Sequence, residues 1–278
     1  MTAPREYRAA RKALLDAIGA LAGQSHSLIL VGAQAIYLRV GQVDIDINIA
    51  PTTTDADLAL DADLLTPIPN LSAALHTAGF STGAQPGTWT NREGISVDLM
   101  VCPHQSGRTS PAARDARLGE HGHPEARTAR ITPGLEPALV DHDQMTLIAL
   151  DEGDPRTVVL NVAGPAAMLV AKLTKLRERL DDRRTGRPDR TKPKDVIDIF
   201  RLLVGTSIDE LRTGVARHGN SPEAARISRQ AMDFVGDDLR RPGGSEIRTI
   251  FAAEVAGDPV QLARWDALIR ELHESMPG

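Results

Sequence analysis

Residues Asp55-Ala56-Asp57-Leu58-Ala59-Leu60 place two carboxylates one residue apart in an otherwise apolar run. In an extended strand successive side chains alternate between faces, so Asp55 and Asp57 share one side. A second apolar run, Ser96-Val97-Asp98-Leu99-Met100, carries a third carboxylate that could join them. Three acids at short range repel one another unless a cation lies among them. These segments therefore predict a sheet, and a divalent metal at Asp55, Asp57 and Asp98 would turn its acidic face into a phosphoryl-transfer site.

The 278 residues, 41% hydrophobic and 25% charged, can bury a sizeable core. Aromatic residues make up only 3%, which predicts an aliphatic, alanine-rich interior. No apolar run approaches the ~18 residues of a membrane span. Met1 to Arg11 is charged and leads into an amphipathic helix, unlike an export signal. Cys102 is the single cysteine, which excludes an internal disulfide and a cysteine zinc cluster and fits a cytoplasmic location. Net charge is −5, yet Lys172 to Lys194 holds ten basic and four acidic residues, a patch able to attract phosphates or simply a solvated helix face.

Periodicity and turn residues predict helices over 5–22, 32–40 and 70–78, and strands over 27–31, 55–60 and 95–101. Pro86-Gly87 reads as a turn feeding a strand, and 104–134 as a long polar loop with one short helix. Strand-like runs follow at 138–141, 145–150 and 157–162. After Gly164-Pro165 the pattern becomes helical, over 165–181, 193–204, 207–217, 221–235, 245–255 and 259–274. An α/β domain over 1–163 followed by an all-α domain over 164–278 is the organisation this predicts.

The apolar run Leu28 to Val31 ends at Gly32, which opens a helix; a glycine there lets a phosphate approach the backbone N–H groups of the first turn, at Ala33 and Gln34. Asp55 and Asp57 would hold Mg²⁺ (or Mn²⁺) on a triphosphate, and Asp98 would hold a second ion or accept the proton of an attacking hydroxyl. Lys172 sits in an apolar turn with its stem part-buried and its ammonium aimed at an anion, either a nucleotide phosphate across the domain cleft or the carboxylates of Asp195 and Asp198. Lys175 and Arg177 are further phosphate contacts or solvated.

In order and setting, Gly32, Arg39, Thr53, Asp55, Asp57 and Asp98 resemble the AbiEii-type nucleotidyltransferase toxins, including the mycobacterial MenT enzymes, of the polymerase-β-like nucleotidyltransferase superfamily. That family has an apolar strand, Gly-Gly or Gly-Ser, a helix ending in Arg, Ser/Thr-x-Asp-x-Asp, a later acid, then a Lys helix and an Asp-x-x-Asp helix; here the last two match Lys172 and Asp195 with Asp198. The resemblance covers roughly 27–204 and departs at Gly32-Ala33-Gln34, which lacks the serine hydroxyl. It implies an α/β (α+β) polymerase-β-like domain with a small mixed sheet and a helical C-terminal domain. Catalysis would rest on Asp55, Asp57, Asp98, Lys172 and Asp198, and nucleotide binding on Gly32, Ala33, Gln34, Arg39, Thr54, Lys172 and Lys175. The implied activity is transfer of a nucleoside monophosphate from NTP to RNA, with a tRNA 3′ end as acceptor, in a toxin with a cognate antitoxin.

Other readings stay open. Asp44-Ile45-Asp46 is a second Asp-x-Asp, twelve residues beyond Gly32, and competes with Asp55 and Asp57 for the metal. The acceptor could be a small aminoglycoside-like molecule, or the chain could be a non-catalytic nucleotide- or partner-binding module. His121-Gly122-His123 and His142 suit no recognised zinc spacing. Trp89 could stack a base or anchor the core.

Overall fold

Strand β1 (Leu28–Val31) is buried at all four positions and lies inside a mixed, eight-stranded sheet. The computed structural model describes residues 4–41, 53–121, 127–188, 190–241 and 245–276. The remaining strands are β2 (Asp55–Leu60), β3 (Ser81–Thr82), β4 (Thr88–Thr90), β5 (Ser96–Val101), β6 (Arg130–Ile131), β7 (His142–Ile148) and β8 (Thr157–Ala163). Their order is β3-β4-β5-β2-β1-β8-β7, with β6 beside β5. β1 runs antiparallel to β2 and parallel to β8, and β2 runs parallel to β5.

Alternation along β2 and β5 decides which face is dry. Ala56, Leu58, Leu60, Val97, Leu99 and Val101 are each at most 1% exposed. Helix α1 (Arg5–Ala20) packs against both strands, and its buried stripe of Ala10, Ala13, Leu14, Ala17 and Ile18 has the spacing of one helix face. Helix α2 (Gly32–Val40) follows β1 directly, and α3 (Leu71–Thr77) is capped by Asn70, whose side chain accepts from the Ala73 N–H at 3.0 Å.

The chain divides into two compact units. One contains residues 4–38, 53–133 and 142–163, including the whole sheet; the other contains 39–41, 134–141 and 164–276 among the described residues. The second unit is helical: α4 (Pro165–Arg184), α5 (Pro193–Gly205), α6 (Ile208–His218), α7 (Pro222–Phe234), α8 (Glu246–Glu254) and α9 (Pro259–Ser275). α7 runs on into a π-helical turn over Val235–Leu239. Pro165, Pro193, Pro222 and Pro259 sit in first turns, where the missing N–H is not needed. Ser207, Ser221, Ser245 and Asp258 cap the starts of α6, α7, α8 and α9. No strand follows Ala163 among the described residues.

Two expectations are corrected. The run 138–141 is not a strand: Glu136–Leu139 forms a 3₁₀ turn that packs on α4 and α7. Three apolar residues, Ala138 to Val140, fit a buried helical turn as well as a strand, and Pro137 favours the turn. The core is also not aliphatic throughout. Phe251 lies 4.7 Å from both Phe200 and Trp265, ring centre to ring centre, and all three rings are buried in the helical unit. No helix among the described residues is long and apolar enough to cross a membrane.

Candidate active site

The antiparallel register of β1 and β2 puts Val31 opposite Asp57, so the residue after Val31 meets that carboxylate. That residue is Gly32, with φ +68°. A Cβ on Gly32 would come within 2.8 Å of Cγ and 2.9 Å of Cβ of Asp57, and would overlap Oδ2 outright. Only glycine combines that backbone angle with that closeness. The Asp57 carboxylate thus lies against the first residue of α2, where N–H groups and the helix dipole favour negative charge.

Parallel pairing of β2 with β5 sets Asp57 opposite Asp98, and Asp55 opposite Ser96. Antiparallel pairing of β5 with β4 sets Asp98 opposite Thr88. Asp55, Asp57 and Asp98 therefore share one sheet face, as the two-residue period requires. Each is half-buried.

Hydrogen bonds orient Asp55 and Asp98. Thr53 donates its hydroxyl to Oδ1 of Asp55 at 2.8 Å. Thr88 donates to Oδ1 of Asp98 at 2.7 Å, and the Arg130 guanidinium donates to Oδ2 of Asp98 at 2.8 Å. Arg130 arrives on β6, opposite Met100 on β5. Gly87, with φ +77°, makes room for that strand: a Cβ there would stand 2.9 Å from Cβ of Arg130 and overlap the Leu99 carbonyl. Arg130 and Thr88 were not singled out from sequence. Arg130 lies in a stretch whose polar composition reads as loop, and nothing local ties it to Asp98.

The donor set bears on a metal. Among the described residues, no three acidic, histidine or cysteine side chains gather as a group able to hold a cation. Asp98 already faces a guanidinium, so the set offered to a magnesium ion is the pair Asp55 and Asp57. Magnesium is commonly held by one or two carboxylates together with substrate phosphates and water, and the pair fits that pattern.

The structure places the other candidates as follows. Ala33 and Gln34 lie in the first turn of α2 and are buried. The Gln34 side chain turns inward, accepting from Nε of Arg11 at 2.7 Å, so a phosphate contact at this position would come from its backbone N–H. Thr54 is exposed, and it is Thr53 that binds Asp55. Arg39 is half-exposed in the last turn of α2. Asp44 and Asp46 lie outside the described residues. Trp89 is fully buried and donates its indole N–H to the Thr128 carbonyl at 2.9 Å, which makes it a core anchor and rules out base stacking. His121 is buried.

In the helical unit, Lys172 donates to Asp195 at 2.8 Å and to Asp198 at 2.7 Å. Lys175 and Arg179 also reach Asp195, at 3.2 and 2.5 Å. Burial alone would lower the Lys172 ammonium, but the carboxylates of Asp198 and Asp195 outweigh it and hold its pKa above the usual lysine value. Burial alone would raise the Asp195 carboxyl, but Lys172, Lys175 and Arg179 hold it well below the carboxylate range. Of the two sequence readings of Lys172, the ion pair is the one seen in the geometry. Much of the basic segment is neutralised in the same way: Arg183 pairs with Glu246, Arg184 with Asp238, and Arg187 and Arg190 with Asp182.

No family model and no curated protein matches the chain. Among solved structures it is similar to an antigenic nucleotidyltransferase-like protein from Paracoccidioides brasiliensis, at 14% identity and a TM-score of 0.38, over 82% of this chain and 94% of that one.

Proposed function

We propose that the protein is a metal-dependent nucleotidyltransferase that moves a nucleoside monophosphate from an NTP to an RNA acceptor. The observation that carries this reading is the seat of Asp57: its carboxylate lies on Gly32 at the start of α2, with Asp55 on the same sheet face. Two carboxylates beside a helix N-terminus suited to phosphate support this reading, because NTP chemistry pairs a magnesium ion with a phosphate seat.

Asp55 and Asp57 would hold the Mg²⁺ or Mn²⁺ ion. When bound, the ion neutralises phosphate charge and orients the triphosphate. The N–H groups of Ala33 and Gln34 would bind phosphate oxygens, and Thr53 keeps Asp55 oriented. Asp98, held in one orientation by Thr88 and Arg130, would take the proton of the attacking hydroxyl as its oxygen bonds to the α-phosphorus and pyrophosphate leaves. The tRNA 3′ end, the toxin role and an antitoxin partner enter through the resemblance, as do phosphate contacts from Arg39, Thr54, Lys172 and Lys175 and an orienting role for Asp198.

The test is incubation of the full chain with labelled NTPs, Mg²⁺ and total RNA. Label on RNA of tRNA size, lost in Asp57→Asn, is the expected result. Label on a small amine acceptor, or on nothing, overturns the proposal.

A further inference from the structure

The helical unit has a pocket of about 480 Å³ lined by Leu239, Arg240, Arg241, Arg248, Asp266, Ile269 and Arg270. We propose that it binds a compact phosphorylated small molecule, at a site of its own that does not rest on the transferase reading.

Four arginines and a single carboxylate line it. Arg248 spends its fork on that carboxylate, donating from Nε at 2.7 Å and from Nη2 at 2.8 Å to Asp266, which ties α8 to α9. Among the described residues Arg241 has only Asp238 as an ion-pair partner, at 3.9 Å, the far limit of such a pair. Arg240 and Arg270 have no ion-pair partner among the described residues, and both are exposed. Cations lining one pocket repel unless an anion joins them. The guanidinium fork matches phosphate oxygens two at a time. The two apolar lining residues are buried: Leu239 is 4% exposed and Ile269 2%. Leu239 ends the π-helical turn, and Arg240 and Arg241 follow it directly; such turns recur at functional sites.

Shape and surroundings favour a small ligand over a nucleic-acid strand. The volume falls within the ~300–1,000 Å³ of small-molecule sites. A strand would need basic surface running on beyond the pocket. Next to it, however, Asp238 and Glu246 neutralise Arg184 and Arg183.

The experiment is calorimetric titration of the full chain with inorganic pyrophosphate and with ATP in EDTA. Wild type and Asp55→Asn/Asp57→Asn should bind alike, so failure of the transferase reading leaves this result intact. Arg240→Ala/Arg241→Ala/Arg270→Ala should bind about tenfold more weakly or worse, a loss of ~1.4 kcal/mol. The exposed pair Arg226→Ala/Arg229→Ala on α7 should bind as wild type, and melting curves confirm that each variant folds. Equal binding by wild type and the triple variant overturns the proposal. So does binding that disappears only in the aspartate variant. A labelled single-stranded RNA that needs the three arginines, with no binding of pyrophosphate or ATP, would assign the pocket to nucleic acid and overturn it too.

Discussion

Gly32 and Asp57 share one volume: the carboxylate of Asp57 fills the space that any side chain at position 32 would occupy. Gly32→Ala therefore fails twice. A left-handed backbone costs an L-residue about 1–2 kcal/mol. The new methyl group also displaces the carboxylate from the start of α2. The expected outcome is a lower melting temperature together with loss of nucleotide transfer. Asp57→Asn keeps the shape and should retain the melting temperature while losing transfer about a hundredfold or more, the equivalent of several kcal/mol of lost charge stabilisation. A Gly32→Ala protein with full activity would show that the seat of Asp57 is irrelevant to the chemistry.

Arg130 and Asp98 give a second, separable prediction. The Asp98 side chain is 13% exposed and accepts from both Thr88 and Arg130. Arg130→Met leaves a largely buried carboxylate with one donor, and a hydrogen bond to a charged group is worth about 1.5–3 kcal/mol. Asp98→Asn keeps the Thr88 contact and should cost less stability. If Asp98 takes the proton of the attacking hydroxyl, both variants lower kcat and leave the KM for NTP nearly unchanged. Titrating NTP with each variant checks this, and an unchanged kcat in Asp98→Asn removes Asp98 from the reaction.

The acidic face was legible because two rules coincide there. Alternation puts Asp55 and Asp57 on one side, and Gly32 marks the strand-to-helix turn; β2 and α2 accordingly have the expected bounds. The helix starts of the second unit were legible for a similar reason, since each carries a first-turn proline, a Ser or Asp cap, or both. The pairing of Asp98 with Arg130 was not legible. It depends on a two-residue strand inside a polar stretch, and on a glycine at 87 whose neighbours come from distant segments. The ion pairs of Arg183 and Arg184 were hidden for the same reason, whereas that of Lys172 with Asp195 and Asp198 was one of the two readings open from sequence. Charge counted along the chain does not register Glu246 or Asp238 folding back onto α4.

Lys172, Asp195 and Asp198 predict a pH dependence of stability. The Asp195 carboxyl sits below its unfolded value because nearby cations outweigh burial. A depressed carboxyl contributes stability that is present above its unfolded pKa of about 3.9 and is lost as pH falls through the folded value. Lys172 is raised, so its contribution is complete below about 10.4 and fades only in strong alkali. Denaturant unfolding should therefore show a flat contribution from this cluster across neutral pH and a decline below about pH 4. In Asp195→Asn that acid-side decline should be shallower. Lys172→Met removes the cation shared by two buried carboxylates, leaving Asp195 with Lys175 and Arg179 and Asp198 with Arg201 at 3.6 Å, and should cost at most about 3–5 kcal/mol at neutral pH. A small cost would show that the pair does little for the helical unit.

Asp141 holds a second buried knot in the same unit. Its carboxylate is 1% exposed, accepts from the Ala167 N–H at 3.1 Å and from Arg217 at 3.1 Å, and lies 3.4 Å from Nε2 of His218. Burial would raise this carboxyl, but His218, Arg217 and the Ala167 N–H together hold it below its ordinary value. Asp141→Asn turns one acceptor into a donor facing an N–H or a guanidinium, and an unsatisfied buried group costs about 1–3 kcal/mol. Gly164 makes the knot possible: a Cβ there would stand 2.5 Å from Cγ of Asp141. Gly164 has an ordinary φ of −67°, so Gly164→Ala tests crowding alone, and overpacking of this kind costs about 1–3 kcal/mol. Because both changes disrupt one knot, the double variant should be destabilised by less than the sum of the two single changes. Full additivity in denaturant unfolding would mean that Gly164 and Asp141 act independently.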